Sequence, residues 1–178
     1  LWDIWYSKRK PDPFGLNLPA GLPLMHPFAE PKFTPTRKSK TDPPLPGKWV
    51  SDHQAQATHI TFEATRAIQV HLSKKTIALI DTKWECGVDS SGMVFLADEA
   101  ATPASSRYAR KSDIILGQKP PWFDKKIFRD AAEVMWGSGP RVPLEFPPQI
   151  IAKGTETYLA LFHEVTSMEL AEFQRVYL

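Results

Sequence analysis

The chain has 178 residues, the size of one ordinary domain with a sizeable core. Hydrophobic residues at 42% and charged residues at 24% exclude a disordered chain. The 22 basic and 20 acidic residues leave a net charge of +2, which gives no general case for nucleic acid or an anionic membrane as partner.

One cysteine, Cys86, rules out an intramolecular disulfide and points to a reducing, cytoplasmic setting. No run approaches the ~18 apolar residues of a membrane span, and no signal-peptide pattern opens the chain. The chain begins at Leu1 without an initiator Met, and we expect a fragment or a processed product.

Prolines cluster between Pro11 and Pro46, in a stretch poor in periodicity. Residues 1–50 read as an extended, Pro-rich segment. Leu16, Leu18, Leu22, Leu24, Met25, Phe28 and Phe33 are too many large apolar groups for a free linker, so the segment is expected to pack on the domain formed by 51–178. Ser51 or Asp52 can cap a helix from about His53 to Lys74. Ala57, Ile60, Ala64, Ala67, Ile68 and Leu72 recur at helical spacing as one apolar stripe. His71, on or beside it, reads as a packing residue.

TIALIDTKWECGV reads as a strand, Asp89–Gly92 as a turn and MVFLADEA as the returning strand. Asp81, Lys83 and Glu85 alternate with Ile80, Thr82 and Trp84, so the three charges share a face. A four-residue turn pairs Val88 with Met93 and sets Asp98 opposite Lys83, diagonal to Glu85. Diagonal neighbours lie roughly 7–8 Å apart. Two carboxylates there can hold one Mg²⁺ together with phosphate oxygens, and Lys83 can meet a phosphate as a point charge. The same pattern also fits a solvated strand pair with a surface salt bridge, and a slip of one residue would move Asp98 to the other face.

Thr102, Ser105, Ser106 and Arg107 follow as hydroxyls beside an arginine, either an ordinary loop or an anion pocket. Phe123–Trp136 is expected to form an amphipathic helix, with Phe123, Ile127, Phe128, Ala131 and Met135 on one face. A further helix is expected from about Pro147 to Ser167, its prolines suiting the first turn.

These pieces, in this order, resemble the SAICAR (phosphoribosylaminoimidazole-succinocarboxamide) synthetase family of purine synthesis. The family stretch "DTKxEFG…DE…TPDSSRxW" stands here as Asp81-Thr82-Lys83-Trp84-Glu85-Cys86-Gly87, Asp98-Glu99 and Thr102-Pro103-Ala104-Ser105-Ser106-Arg107-Tyr108. FTPTRKSKTDPPLP, GLNLPAGL, FDKKIFRD and the last helix with Tyr158 and Val165-Thr166 match further family segments. The match runs over most of the chain, and its ordered series is more specific than any single motif.

The resemblance implies an α+β, ATP-grasp-like fold with an antiparallel sheet flanked by helices. It implies an ATP- and Mg²⁺-dependent ligase that joins carboxyaminoimidazole ribotide to L-aspartate through an acyl phosphate. By the same resemblance Glu85 and Asp98 match metal ligands, Lys83 a lysine near the phosphates, and Asp81 an acidic residue of the cleft. Arg107, Ser105 and Ser106 match the ribotide loop, and Lys38 and Asp42 a mobile loop over the substrates. Asp124, Lys125 and Arg129 match a helix facing the ribotide.

Ala104 replaces the usual acidic residue and Tyr108-Ala109 lacks the usual tryptophan. Cys86 stands where an aromatic is usual, and it is expected to be a small buried hydrophobe. The family's N-terminal ATP lobe has no counterpart here, so half the cleft is expected to come from elsewhere in the same polypeptide. A paralogue joining a different carboxylate and amine, and a non-catalytic ribotide- or partner-binding piece, are the alternatives.

Overall fold

The structure, a computed structural model, describes residues 14–19, 21–37, 39, 43–45, 52–137 and 145–178. Its elements in order are α1 (Asp52–Leu72), β1 (Ile77–Thr82), β2 (Glu85–Val88), β3 (Val94–Ala97), β4 (Ser106–Arg110), a 3₁₀ turn (Lys111–Asp113), α2 (Lys126–Trp136), α3 (Pro148–Thr166) and α4 (Leu170–Tyr177). The fold is α+β with two small sheets, β1 with β4 and β2 with β3. The described residues fall into two compact units. The first contains those up to Arg66 with Cys86–Leu96 and Ile114–Lys119; the second contains Ala67–Glu85, Ala97–Asp113 and Pro120–Leu178.

The second unit is built on the antiparallel β1–β4 ladder. Ile77 is fully buried, and Leu72, Tyr108, Phe123 and Leu161 form the core with it; Ile68, Leu79, Ala160 and Val165 pack around them. The ladder pairs Ile77 with Arg110, Leu79 with Tyr108, Asp81 with Arg107 and Thr82 with Ser106, and it shifts register between Leu79 and Asp81. The strand expected to run unbroken to Val88 thus pairs with β4 only as far as Thr82. Lys83 and Trp84 then separate it from β2. Ser106–Arg110 reads in sequence as loop because only Tyr108 and Ala109 in it are apolar. Both are buried, at 4% and 0% exposure, and that burial is what makes the segment the partner of β1.

In the first unit, β2 and β3 form the expected hairpin, with a different closure. Asp89 N–H donates to Met93 O (3.0 Å) and Gly92 N–H to Asp89 O (3.0 Å), while Gly92 has φ +85°. This is a type I turn followed by a left-handed residue, the three-residue hairpin loop. A Cβ on Gly87 would stand 2.7 Å from the Phe95 ring, so these two face each other across the hairpin. The register is therefore one residue off the expected one, and Asp98 is not opposite Lys83. Gly87 and Phe95 share a face, so Cys86 turns to the other side. It is exposed, not buried as expected, because no third strand covers that side among the described residues. Elsewhere in this unit Phe33 lies against Phe62 (6.1 Å between centroids) and Thr36 bridges Pro44.

The helices follow the apolar spacing closely, with small shifts that have local causes. α1 ends at Leu72 because the chain must turn into β1. Lys111 Nζ donates to the carbonyls of Leu72 (2.9 Å), Ser73 (2.9 Å) and Lys75 (2.7 Å), a cationic cap on that helix end. His71, expected to pack beside the apolar stripe, is instead exposed and bonds Val165 O at 2.9 Å, a tie between α1 and α3. α2 starts at Lys126, not Phe123, because Phe123 exchanges backbone bonds with Tyr108 (2.9 and 3.4 Å). α3 starts after Pro147 and ends at Ser167, whose φ of +62° and N–H bond to His163 O make a left-handed cap. The expected set of helices lacked α4, whose Phe173 packs on Phe162 (5.3 Å) and Tyr177 (4.7 Å).

α2 and α3 meet at Gly154, where an added Cβ would lie 2.0 Å from the Phe128 ring. Phe146 (5.5 Å) and Tyr158 (6.0 Å) hold that ring, so it has little room to retreat. Gly154→Ala gains helix propensity but overpacks this contact, and we expect a net loss of about 1–2 kcal/mol in chemical denaturation. The loss should shrink in a Gly154→Ala/Phe128→Leu double variant; an unchanged single variant would mean the helices are not packed this closely.

Glu164 ties α3 to the ladder through the Thr76 hydroxyl and Arg110 Nε (3.2 Å). The Thr76 hydrogen bond above all holds the Glu164 carboxyl below the usual range; burial opposes it, and the hydrogen bond and charge of Arg110 add to the lowering. A depressed folded pKa stabilises above the unfolded value, and the contribution is lost as pH falls through the folded pKa. As pH drops below about 4.5, the ordinary value for this carboxyl, wild type should lose denaturation midpoint faster than Glu164→Gln. Parallel acid profiles for the two proteins would remove this account.

Candidate active site

The register shift in β1 decides where the charged side chains fall. Without the extra residue Ile80, Asp81 would stand opposite Ser106, which is 4% exposed. With it, Asp81 stands opposite Arg107 and Thr82 opposite Ser106. Arg107 then grips the Asp81 carboxylate as a fork. Nε lies 2.9 Å from Oδ1 and 3.0 Å from Oδ2, and Nη2 also donates to Oδ2. The guanidinium carbon sits 5.5 Å from the Trp122 ring centroid, so an indole stacks on the same group. The Tyr108–Phe123 bridge buries those two rings in the core. By alternation it turns their neighbours Arg107, Trp122 and Asp124 to the opposite side.

The loop before β4 is a nest of short polar contacts. Ser105 and Ser106 N–H both donate to Thr102 O (3.1 and 2.9 Å), and Thr102 N–H donates to Ser105 Oγ (3.1 Å). Ser106 Oγ donates to Thr82 Oγ1 at 2.8 Å, and Lys83 N–H to Ser105 O at 3.0 Å. Ser106 therefore braces the loop from inside, while Ser105 is half-buried. The Thr102 hydroxyl donates to Glu99 Oε2 at 2.5 Å, and the Tyr108 hydroxyl to Ala101 O.

Lys83 Nζ is 3.7 Å from Glu85 Oε1. Asp98 follows β3 in a left-handed conformation (φ +65°), its Oδ1 accepting Glu99 N–H at 2.9 Å. Among the described residues no three His, Cys, Asp or Glu side chains are grouped to hold a metal. The slipped register removes the pairing that was expected to set Asp98 diagonal to Glu85, and Asp98 instead leaves β3 in a left-handed turn. What remains in favour of Mg²⁺ is the carboxylate chemistry of the two residues, since Mg²⁺ takes one or two carboxylates and fills its other positions with water and phosphate oxygens.

Asp124 Oδ1 accepts Lys126 N–H at 2.8 Å and so closes a turn ahead of α2. Lys125 and Arg129 are exposed on the start of that helix. Burial first, then the Asp124 and Glu99 carboxylates, push the Tyr158 phenol up, which marks these three groups as electrostatic neighbours. Lys38 and Asp42 lie outside the described residues.

Sequence reasoning missed Trp122 and Glu99. No periodicity singles out a tryptophan ahead of a helix, and Glu99 was legible only as the second member of the Asp98-Glu99 pair.

The curated relatives this chain is similar to include the phosphoribosylaminoimidazole-succinocarboxamide synthase of Thioalkalivibrio sulfidiphilus. It is 34% identical over 162 residues, covering 81% of this chain and 51% of that protein. The synthase of Mycobacterium sp. (strain JLS) is 31% identical over 176 residues, with 89% and 58% covered. The chain thus spans about half the length of the curated relatives it matches.

Among solved structures, a SAICAR synthase from Saccharomyces cerevisiae complexed with SAICAR superposes with a TM-score of 0.72 at 24% identity, covering 94% of this chain and 56% of that one. A SAICAR synthetase in complex with ADP gives 0.58 at 22% identity, covering 93% and 59%. At these identities the likeness is one of fold. The family profile for SAICAR synthetase matches residues 7–139, most of the sequence with the hairpin, the serine loop and the start of α2 inside it, and the chain belongs to that family.

Proposed function

We propose that this chain forms the metal- and ribotide-handling wall of an ATP-dependent ligase that joins carboxyaminoimidazole ribotide to L-aspartate, giving SAICAR, ADP and phosphate. The observation that carries the reading is the Asp81–Arg107 fork beside the serine loop, within a member of this family. Support comes from the fold's likeness to one protein complexed with SAICAR and another with ADP.

In this reading the fold is ATP-grasp-like. Residues 1–50 are a substrate-loop segment, 51–178 the catalytic domain, and the setting is cytoplasmic. The ATP lobe belongs to the half of the relatives' length that this chain does not span.

Arg107, with Ser105, binds the ribotide, and Asp81 orients Arg107; Ser106, expected at the same ligand, is buried on the core face and holds the loop in place from behind. Asp124, Lys125 and Arg129 face the same ligand, and Lys38 and Asp42 belong to a loop over the substrates. A ribotide carboxylate oxygen attacks the γ-phosphorus of ATP and ADP leaves, giving the acyl phosphate. The aspartate nitrogen then attacks the acyl carbon, phosphate leaves, and the nitrogen loses its proton. Both steps move negative charge between oxygens, so positioning and charge neutralisation do most of the catalysis. Lys83 contributes a positive charge beside the phosphates. Glu85 and Asp98 would hold Mg²⁺, which when bound neutralises phosphate charge.

Ala104 favours one alternative. A carboxylate absent beside the serine loop removes a polar contact and would suit a ligase acting on a different carboxylate and amine.

ADP release from the full-length polypeptide, measured with Mg-ATP, ribotide and aspartate and with each omitted in turn, tests the reading. Release should require all three; release independent of aspartate overturns the substrate assignment. Glu85→Gln and Asp98→Asn should each raise the Mg²⁺ concentration needed for half-maximal rate by about tenfold or more. An unchanged Mg²⁺ requirement in both would remove the metal assignment. The chain alone should turn over no ATP.

A further inference from the structure

Trp122 plays no part in the reaction as written, and its position is unexpected on grounds of stability. Its indole Nε1 is buried without a hydrogen-bond partner among the described residues. A buried donor left unpaired destabilises the fold, a cost that a phenylalanine would avoid while leaving part of the space unfilled. What a tryptophan offers there is the face of its ring. That face carries the strongest cation–π attraction of the aromatic side chains, and the Arg107 guanidinium lies 5.5 Å from its centroid.

Asp81 constrains the same guanidinium differently. It takes the Nε and Nη2 edge of the fork, which fixes where the group points within its own plane. It does not fix the tilt of that plane, and both side chains of the pair are substantially exposed, 36% for Arg107 and 46% for Asp81. An exposed ion pair with long side chains holds one geometry only weakly. The stack on Trp122 adds a constraint on that tilt. The backbone bridge from Phe123 to Tyr108 fixes where that ring starts.

We propose that Trp122 is a positioning residue, which sets the plane of Arg107 so that the guanidinium meets an anionic group of the ribotide, its phosphate or carboxylate, in one orientation. The proposal rests on the assignment of Arg107 to ribotide binding. Trp122 acts through Arg107 and needs no contact with the ligand. It is specific to recognition of the anion: a ligand of the same shape lacking the phosphate and carboxylate would not depend on it.

The test uses the full-length polypeptide carrying Trp122→Phe or Trp122→Ala, with two measurements on each. The first is the ¹⁵N–¹H resonance of Arg107 Nε, assigned by its loss in Arg107→Lys. It should be shifted by the indole in wild type, return towards an unstacked position in Trp122→Ala and stay partly shifted in Trp122→Phe. The second is calorimetric affinity for carboxyaminoimidazole ribotide and for the uncharged aminoimidazole riboside. Trp122→Ala should weaken ribotide binding about tenfold, Trp122→Phe about threefold or less, and neither should alter riboside binding. The thermal midpoint of Trp122→Phe should stay above that of Trp122→Ala.

Wild-type ribotide affinity in Trp122→Ala, an Arg107 resonance indifferent to both substitutions, or affinity lost only in step with thermal midpoint overturns the proposal. If Arg107 responds to Trp122 but wild type binds no ribotide, the positioning stands and the ribotide assignment of Arg107 falls.

Discussion

The one-residue slip of the β1–β4 ladder at Ile80 governs the candidate site. A strand alternates its side chains, so the residue after a bulge changes sides relative to its partner strand. Before the slip, Leu79 pairs with Tyr108 and the strand serves the core; after it, Asp81 pairs with Arg107 and the strand serves the site. An unslipped ladder would set an aspartate opposite the buried Ser106 and an isoleucine opposite the exposed Asp81 partner, Arg107. A carboxylate buried there would carry a desolvation penalty, and the arginine would lose its fork. The bulge is thus what lets one short strand be apolar at one end and ionic at the other.

The energetics divide in the same way. The Ile77–Tyr108–Leu161 core and the bonds of Lys111 and Glu164 secure the far end of the ladder, where α1 and α3 end. The Asp81–Arg107 pair lies near solvent, where such pairs contribute about 0–1 kcal/mol. Its value is directional. Arginine offers a planar array of donors, and a carboxylate gripping one edge fixes which donors turn elsewhere. In the proposed reading stability and recognition therefore lie at opposite ends of one sheet, and a change in the Asp81–Arg107 pair should alter binding with little effect on folding.

What the sequence made legible follows from how local each feature is. The apolar spacing of α1 and the prolines opening α3 are local, and both helices lie within two residues of expectation at each end. The family motifs are local too, which is why Asp81, Lys83, Glu85, Ser105, Ser106, Arg107 and Asp124 all stood out. The sheet was misread because its pairing is not local. β1 and β2 look like one run in sequence, and nothing in the alternation of Asp81, Lys83 and Glu85 reveals the bulge before them or the break at Lys83-Trp84. The hairpin register turned on a single left-handed glycine, Gly92, which closes a three-residue loop where a four-residue turn was expected. Trp122 was invisible because its role comes from Arg107, a residue distant in sequence that only the Tyr108–Phe123 bridge brings alongside.

The charge of this wall bears on the proposed chemistry. In the proposed reading its cations are Lys83, Arg107, Lys125 and Arg129, and its carboxylates Asp81, Glu85, Asp98, Glu99 and Asp124. Several of these are already engaged with each other: Asp81 with Arg107, and Glu85 with Lys83 at 3.7 Å. A ligand carrying phosphate and carboxylate groups would therefore meet at least as much negative as positive charge. Such a surface suits polyanions only if positive charge is added beside the carboxylates, which is where a divalent cation bound by Glu85 and Asp98 would lie. The excess of acid is then a reason to look for the metal. The same residues that would repel the phosphates alone would, once a cation is held, fix where those phosphates sit relative to Arg107.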